Sequence, residues 1–256
     1  MGRFPEQEDQ LMHRFYADPS RSEGDLICLS PEDARHALTV LRLKTGQKIE
    51  IIHRSALWEA EIVSVESQDI RTKPIRPLPS SESRIKITLF QGLPKSDKMD
   101  WIVQKATELG VSSIVPLVME RSVVRFSPEK DLHKTDRWRK IIREACKQSG
   151  RCIIPELHDP CSLRQLLDSF ALPELNVVPW EEARMYGPRS FCQDHATPAS
   201  LGILIGPEGG ISQEEMGLLR SAGFVPVTLG KRILRTETAG LAAVSAFLSL
   251  YGEMDS

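Results

Sequence analysis

Two hydrophobic rhythms divide the chain. Up to residue 77 apolar positions tend to alternate. Residues 47–53 and 56–65 read as two antiparallel strands joined at Arg54-Ser55, and residues 25–29 and 70–75 as further short strands. Between them, Ser30-Pro31-Glu32-Asp33 offers an N-cap, a proline at the first helical position and acids in the first turn. This predicts a short helix to about Leu43, before a turn at Gly46. Strands at this spacing predict a small β-barrel. Pro74, Pro77 and Pro79, with Ser80, Ser81 and Ser83, mark a linker.

From residue 83 the pattern becomes strand, helix, strand, which predicts an α/β fold with a mostly parallel sheet covered on both faces. Residues 84–91 form its first strand. A helix over 97–109 carries the apolar stripe Met99, Ile102, Val103, Ala106 and Leu109 and stops at Gly110, and residues 113–118 form a strand. Ser127-Pro128 opens a long helix ending near Gly150, with Trp138, Ile141, Ile142 and Ala145 on its buried stripe. A helix at 163–170, strands at 175–178 and 200–205, a helix opened by the capping box Ser212 to Glu215, a strand at 224–229 and a helix from Thr236 to about Gly252 complete the series. The expected domains are residues 1–77 and 83–256, with residues 1–11 an extension.

Composition narrows the function classes. The chain has 256 residues, 41% hydrophobic and 27% charged, which is ordinary for a soluble globular protein. Its five cysteines, Cys28, Cys146, Cys152, Cys161 and Cys192, form no C-x-x-C pair, and its six histidines lack ligand-like spacing. Neither a disulfide framework nor a metal site is expected. Residues 1–11 lack the apolar core of a secretory signal, and the apolar run 241–251 is far below the roughly 20 residues of a membrane span, so a cytoplasmic location without membrane contact is expected.

The net charge of −2 conceals an uneven distribution: over residues 121–151 ten Lys or Arg stand against four Asp or Glu. Arg137, Arg139, Lys140, Arg143, Lys147 and Arg151 could hold phosphates, although a solvated helix face explains such a run at least as well.

Two strand ends carry candidate chemistry. Ile205 runs into Gly206-Pro207-Glu208-Gly209-Gly210, and Leu229 into Gly230-Lys231-Arg232-Ile233-Leu234-Arg235-Thr236-Glu237-Thr238. Glycine admits a ligand close to the backbone, and open α/β sheets bind ligands at the carboxyl ends of strands. Either loop alone could be an ordinary tight turn. There is no G-x-G-x-x-G, P-loop, H-E-x-x-H or G-x-S-x-G motif. A cofactor held mainly by backbone fits best.

Six segments together carry a resemblance: HALTVLRL at 36–43, KATELGV at 105–111, Glu120-Arg121-Ser122, ACKQSGR at 145–151, GPEGG at 206–210 and LGKRILRTETA at 229–239. In this order, across residues 12–252, they resemble the ribosomal small-subunit methyltransferase E family of the SPOUT class. The resemblance implies an S-adenosylmethionine-dependent enzyme that methylates N3 of a specific uridine in 16S rRNA of the small ribosomal subunit. It further implies a trefoil-knotted sheet, a homodimer and an amino-terminal PUA-like RNA-binding barrel.

The implied cofactor residues are Ile205, Gly206, Pro207, Glu208, Gly209, Gly210, Leu229, Gly230, Ile233, Leu234 and Thr236. Arg235, Arg14 and Arg121 are candidate cations for charge developing on the uracil, and Glu208 and Glu237 are the motif carboxylates. Arg14 and Arg121 could equally make surface salt bridges, Glu237 could serve the first helical turn, and no general base is assigned. His36 and Arg42 would add RNA contacts, and Leu241, Val244, Phe247 and Leu248 could contribute to a dimer, although core packing alone explains those four at least as well. The family's opening segment matches Met12 to Phe15, and the contribution of Trp180 and Glu181 stays open. A SPOUT enzyme acting on another atom, such as a ribose 2'-oxygen, and a non-catalytic RNA-binding ribosome-assembly protein are the alternatives.

Overall fold

The alternating positions of the amino-terminal stretch become strands that curl around one core. The computed structural model describes residues 12–66, 69–124 and 128–255. The extension at 1–11 and Ser127, expected to open the basic helix, lie outside them. The chain divides into two units, residues 1–81 and 82–256.

The first unit contains β1 (Arg14–Tyr16), β2 (Ile27–Cys28), α1 (Pro31–Thr39), β3 (Lys48–His53), β4 (Ala56–Glu66) and β5 (Asp69–Pro77). Its sheet runs β1-β3-β4-β5-β2, antiparallel except for β1 beside β3. The two ends of that path meet: Asp18 N–H donates to Cys28 O at 2.8 Å and Ser30 N–H to Tyr16 O at 2.8 Å. Inward-facing Phe15, Leu29, Ile49, Ile51, Ile62 and Ile70 fill the interior with Ala34 and Ala37 of α1. Arg54 and Ser55 both have left-handed backbone, φ 49 and 62, as a two-residue hairpin turn requires.

Three details differ from expectation. β1 was not predicted, because three residues are too few to show alternation. α1 stops at Thr39, and the chain turns at Arg42, whose φ is 52. Pro74 and Pro77 lie inside β5 rather than in a linker, and a register shift between Glu59 and Ala60 falls where Pro74 pairs. Proline lacks the N–H a regular ladder needs, and a bulge absorbs the loss.

The second unit contains β6 (Lys86–Gly92), α2 (Lys98–Glu108), β7 (Ser113–Val118), α3 (Pro128–Ser149), β8 (Glu156–Leu157), β9 (Cys161–Ser162), α4 (Leu163–Ser169), β10 (Leu175–Pro179), α5 (Pro188–Asp194), β11 (Ser200–Ile205), α6 (Gln213–Ser221), β12 (Phe224–Val227) and α7 (Thr236–Leu250). All strand pairs are parallel, in the order β12-β10-β11-β6-β7-β8, with β9 also on β7.

Central strands buried on both faces need near-continuous apolar runs, and β6, β10 and β11 supply them. Phe90, Leu204 and Val178 pack with Leu163 and Leu166 of α4 and Met216 and Leu219 of α6, while α7 lies against β6, β11, α2 and α5. Val244, Phe247 and Leu248 are buried in that packing and only Leu241 is half-buried, so three of the four residues proposed for a dimer face point into their own unit. Among the described residues no helix is long and apolar enough to cross a membrane.

Candidate active site

The carboxyl ends of β10, β11 and β12 open onto one cavity of about 460 Å³. Its walls are Pro179, Trp180 and Glu181 at the end of β10, residues 205–211 at the end of β11, and residues 228–236 after β12, with Lys98 and Ala239 from α2 and α7. The two glycine loops do not follow adjacent strands, because β10 lies between β11 and β12. That intervening strand explains Trp180 and Glu181, whose contribution the sequence left open. The last strand also ends at Val227, so Thr228 and Leu229 belong to the loop.

Close backbone approach explains the glycines. A Cβ on Gly92, at the end of β6, would stand 2.6 Å from Pro207 N. One on Gly206 would meet Ile211 Cγ1 at 2.7 Å, and one on Gly209 would meet Arg121 Cβ and O at 2.8 Å. Gly210 and Gly230 have φ of +74° and +105°, backbone that other residues rarely adopt. The first three glycines thus let the loops pack closely against neighbouring protein atoms, and the last two allow their turns.

A buried polar chain joins the two loops. Gln91 Nε2 donates to Thr236 Oγ1 at 2.9 Å, and Thr236 Oγ1 donates to Gly206 O at 2.6 Å. On the α2 side, Lys98 Nζ lies 3.0 Å from Glu208 Oε1 and 3.1 Å from Glu237 Oε2, while the Lys95 N–H donates to Glu208 Oε1 at 3.1 Å. The turn leading into α2 carries Ser96 at φ 55, a strained position for a non-glycine residue that costs on the order of 1 kcal/mol. Burial would raise the Glu208 carboxyl, but hydrogen bonds from Lys98 and backbone N–H groups outweigh it and hold the group below the usual carboxylate range. Hydrogen bonds to Glu208 and Glu237 raise the Lys98 ammonium above the usual lysine range. Both motif carboxylates are thus committed to a lysine.

Every residue named from the sequence for a cofactor lines this cavity. Arg235 also lines it, as the residue preceding α7, and its exposed guanidinium meets no acceptor among the described residues. Arg121 stands beside the loop, donating from Nη1 to Gly209 O at 3.3 Å. Arg14 belongs to the first unit, where it pairs with Glu50 at 2.6 Å. Sequence reasoning missed Lys98, Pro179, Ile211, Thr228 and Ala239. Ile211, next to GPEGG, and Thr228 and Ala239, beside and at the end of the 229–239 motif, carried a signal that could have found them.

An RNA methyltransferase domain model matches residues 81–248, and a model of the RNA methyltransferase PUA domain matches residues 29–75. The Bacillus subtilis protein named ribosomal RNA small subunit methyltransferase E is 34% identical, over 92% of this chain and 95% of its own length. The chain belongs to the ribosomal RNA small subunit methyltransferase E family. Its Aquifex aeolicus namesake is 32% identical over 93% of this chain and all of its own. The crystal structure of a methyltransferase E from Neisseria gonorrhoeae, bound to S-adenosyl methionine, aligns with a TM-score of 0.77 at 33% identity, covering 94% of this chain and 98% of that one.

The basic stretch over residues 137–151 is less cationic than its sequence suggests. Arg151 is 5% exposed, pairs with Glu82 at 2.6 Å and donates to Thr107 O and Val111 O, so its expected phosphate role is corrected to that of an internal strut. Arg137 pairs with Asp100, Arg139 bridges Asp136 and Asp159 at 3.1 Å each, and Lys147 lies 3.7 Å from Glu144. Lys140 and Arg143 are exposed and meet no carboxylate among the described residues. In the first unit His36 and Arg42 are exposed.

Proposed function

We propose that this chain uses S-adenosylmethionine to methylate N3 of a specific uridine in 16S rRNA of the small ribosomal subunit. The observation that carries the reading is the cavity at three strand ends, lined by residues 205–211 and 228–236. Its volume lies within the roughly 300–1,000 Å³ of small-molecule sites. A lining that includes Gly206, Gly209, Gly210 and Gly230 suits an adenosine that must be gripped without side-chain bulk. Ile205, Leu229, Ile233 and Leu234 supply apolar walls, and Glu181 supplies negative charge toward a cationic ligand. When bound, the sulfonium supplies an already activated methyl group. The relatives' names and the S-adenosyl methionine bound to the Neisseria protein support the same choice.

The chain's task is then alignment and charge management. Arg235, uncommitted and lining the cavity, stabilises the negative charge that develops on the uracil as N3 loses its proton. Arg121 supports the same wall through Gly209. Glu208 and Glu237, held by Lys98, act on loop geometry, and no general base is assigned.

Lys140 and Arg143 hold RNA phosphates, joined by Arg137, Arg139 and Lys147 where RNA competes with their exposed ion pairs, which are individually worth little. His36 and Arg42 add contacts from the PUA unit. The protein works as a cytoplasmic homodimer, and the small outward residues of α7, Ala242, Ser245, Ala246 and Ser249, leave room for a second copy. The trefoil knot belongs to the same reading, supported by the return of the chain after β12 to the GPEGG loop at Thr236.

Incubation of undermethylated small subunits with the protein and methyl-labelled S-adenosylmethionine, followed by digestion and mass spectrometry, tests the reading. Label on the uracil base at N3 is the expected result, and label on a ribose oxygen, or none, would overturn it.

A further inference from the structure

The two loops that line the cavity are tied together twice. The first tie is the buried chain from Gln91 through Thr236 to Gly206. The second is ionic: Lys98 reaches Glu208 in one loop at 3.0 Å and Glu237, just past the other, at 3.1 Å. Both ties start from one short stretch, the end of β6 and the beginning of α2.

Lys98 is the first residue of α2, where a cation opposes the helix dipole. Local helix stability therefore does not account for a lysine there. Its side chain is 31% exposed, and those of Glu208 and Glu237 are 24% and 17% exposed, so the pair energy is only partly screened by solvent. Removing the ammonium would leave two carboxylates facing each other across the gap between the loops. Hydrogen bonds to these carboxylates also hold Lys98 in its charged form.

We propose that Lys98 is a positioning residue, an ionic clamp that sets the spacing of the GPEGG and ILRTETA loops before the cofactor arrives. This rests on the cavity being the cofactor site. It acts through Glu208 and Glu237 and touches no reacting atom.

The test compares Lys98→Met with Lys98→Arg in the full chain. S-adenosylmethionine affinity is measured by calorimetry, and hydrogen exchange of residues 206–210 and 230–237 is followed without cofactor. Lys98→Met is expected to bind about tenfold more weakly, to raise KM more than it lowers kcat, and to exchange faster in both loops at once. Lys98→Arg should recover most of the affinity, and high salt should narrow the gap between wild type and the Met variant. A folded Lys98→Met with wild-type affinity and wild-type exchange would overturn the clamp. If that variant does not fold, a salt series on the wild type decides. Exchange in both loops should rise together as salt increases, and exchange indifferent to salt would overturn the proposal. A wild type that binds no S-adenosylmethionine would instead refute the cofactor reading, while cofactor-free exchange would still judge the clamp.

Discussion

The strand-end cavity and the basic helix α3 both stood out in the sequence, one by glycine and the other by charge, and they fare differently in three dimensions. The glycine loops converge from residues 205–211 and 228–236 onto one space. The cations of this basic stretch disperse, with Arg151, just past α3, buried on Glu82 and Arg137 and Arg139 drawn to aspartates from elsewhere in the chain. A glycine at a strand end encodes a backbone requirement that is local. A run of arginines encodes charge, and its partners come from segments the run cannot reveal, such as Asp100 and Asp159.

The sharpest way to break this contrast is Arg151→Met. A phosphate-binding role predicts weaker RNA binding and unchanged stability. The internal ion pair predicts the reverse, because the Glu82 carboxylate would lose its guanidinium partner, with a loss of about 3–5 kcal/mol in a denaturant titration. Next comes Arg235→Ala, which removes an uncommitted cation at the cavity. Single-turnover methylation at saturating RNA should fall by about 10²–10³-fold, with RNA affinity nearly unchanged.

Gly92→Ala tests the glycine side from a residue outside both loops. Its Cβ would stand 2.6 Å from Pro207 N, and overpacking of about 1–3 kcal/mol should displace GPEGG and weaken cofactor binding by about tenfold or more in calorimetry. The smallest effect is expected for the double variant Lys140→Gln and Arg143→Gln. Its log–log salt slope for RNA binding should flatten by roughly 1–2 units while cofactor affinity holds. An unchanged slope would remove the remaining role of α3.

The same logic explains what else could be read from the sequence. The capping box at Ser212 and Glu215 forms, with Ser212 Oγ accepting from Glu215 N and the Glu215 side chain accepting from Ser212 N, because both halves lie within four residues. The parallel sheet was legible in the apolar runs of β6 and β11. Strand order was not: nothing local places β10 between β11 and β12, and with that order went the contribution of Trp180. The α5 helix also escaped notice, since seven residues opened by Gly187-Pro188 show little periodicity. Lys98 was invisible because its role depends on two carboxylates more than one hundred positions away, at Glu208 and Glu237. The family resemblance supplied what periodicity could not, above all the identity of the cofactor.

Calorimetric titration of S-adenosylmethionine into the purified full chain tests the central claim most directly. The account predicts saturable binding with one molecule per chain, lost or strongly weakened in Gly92→Ala while the fold is retained. No measurable binding by folded wild-type protein, or undiminished binding by the folded variant, would contradict it.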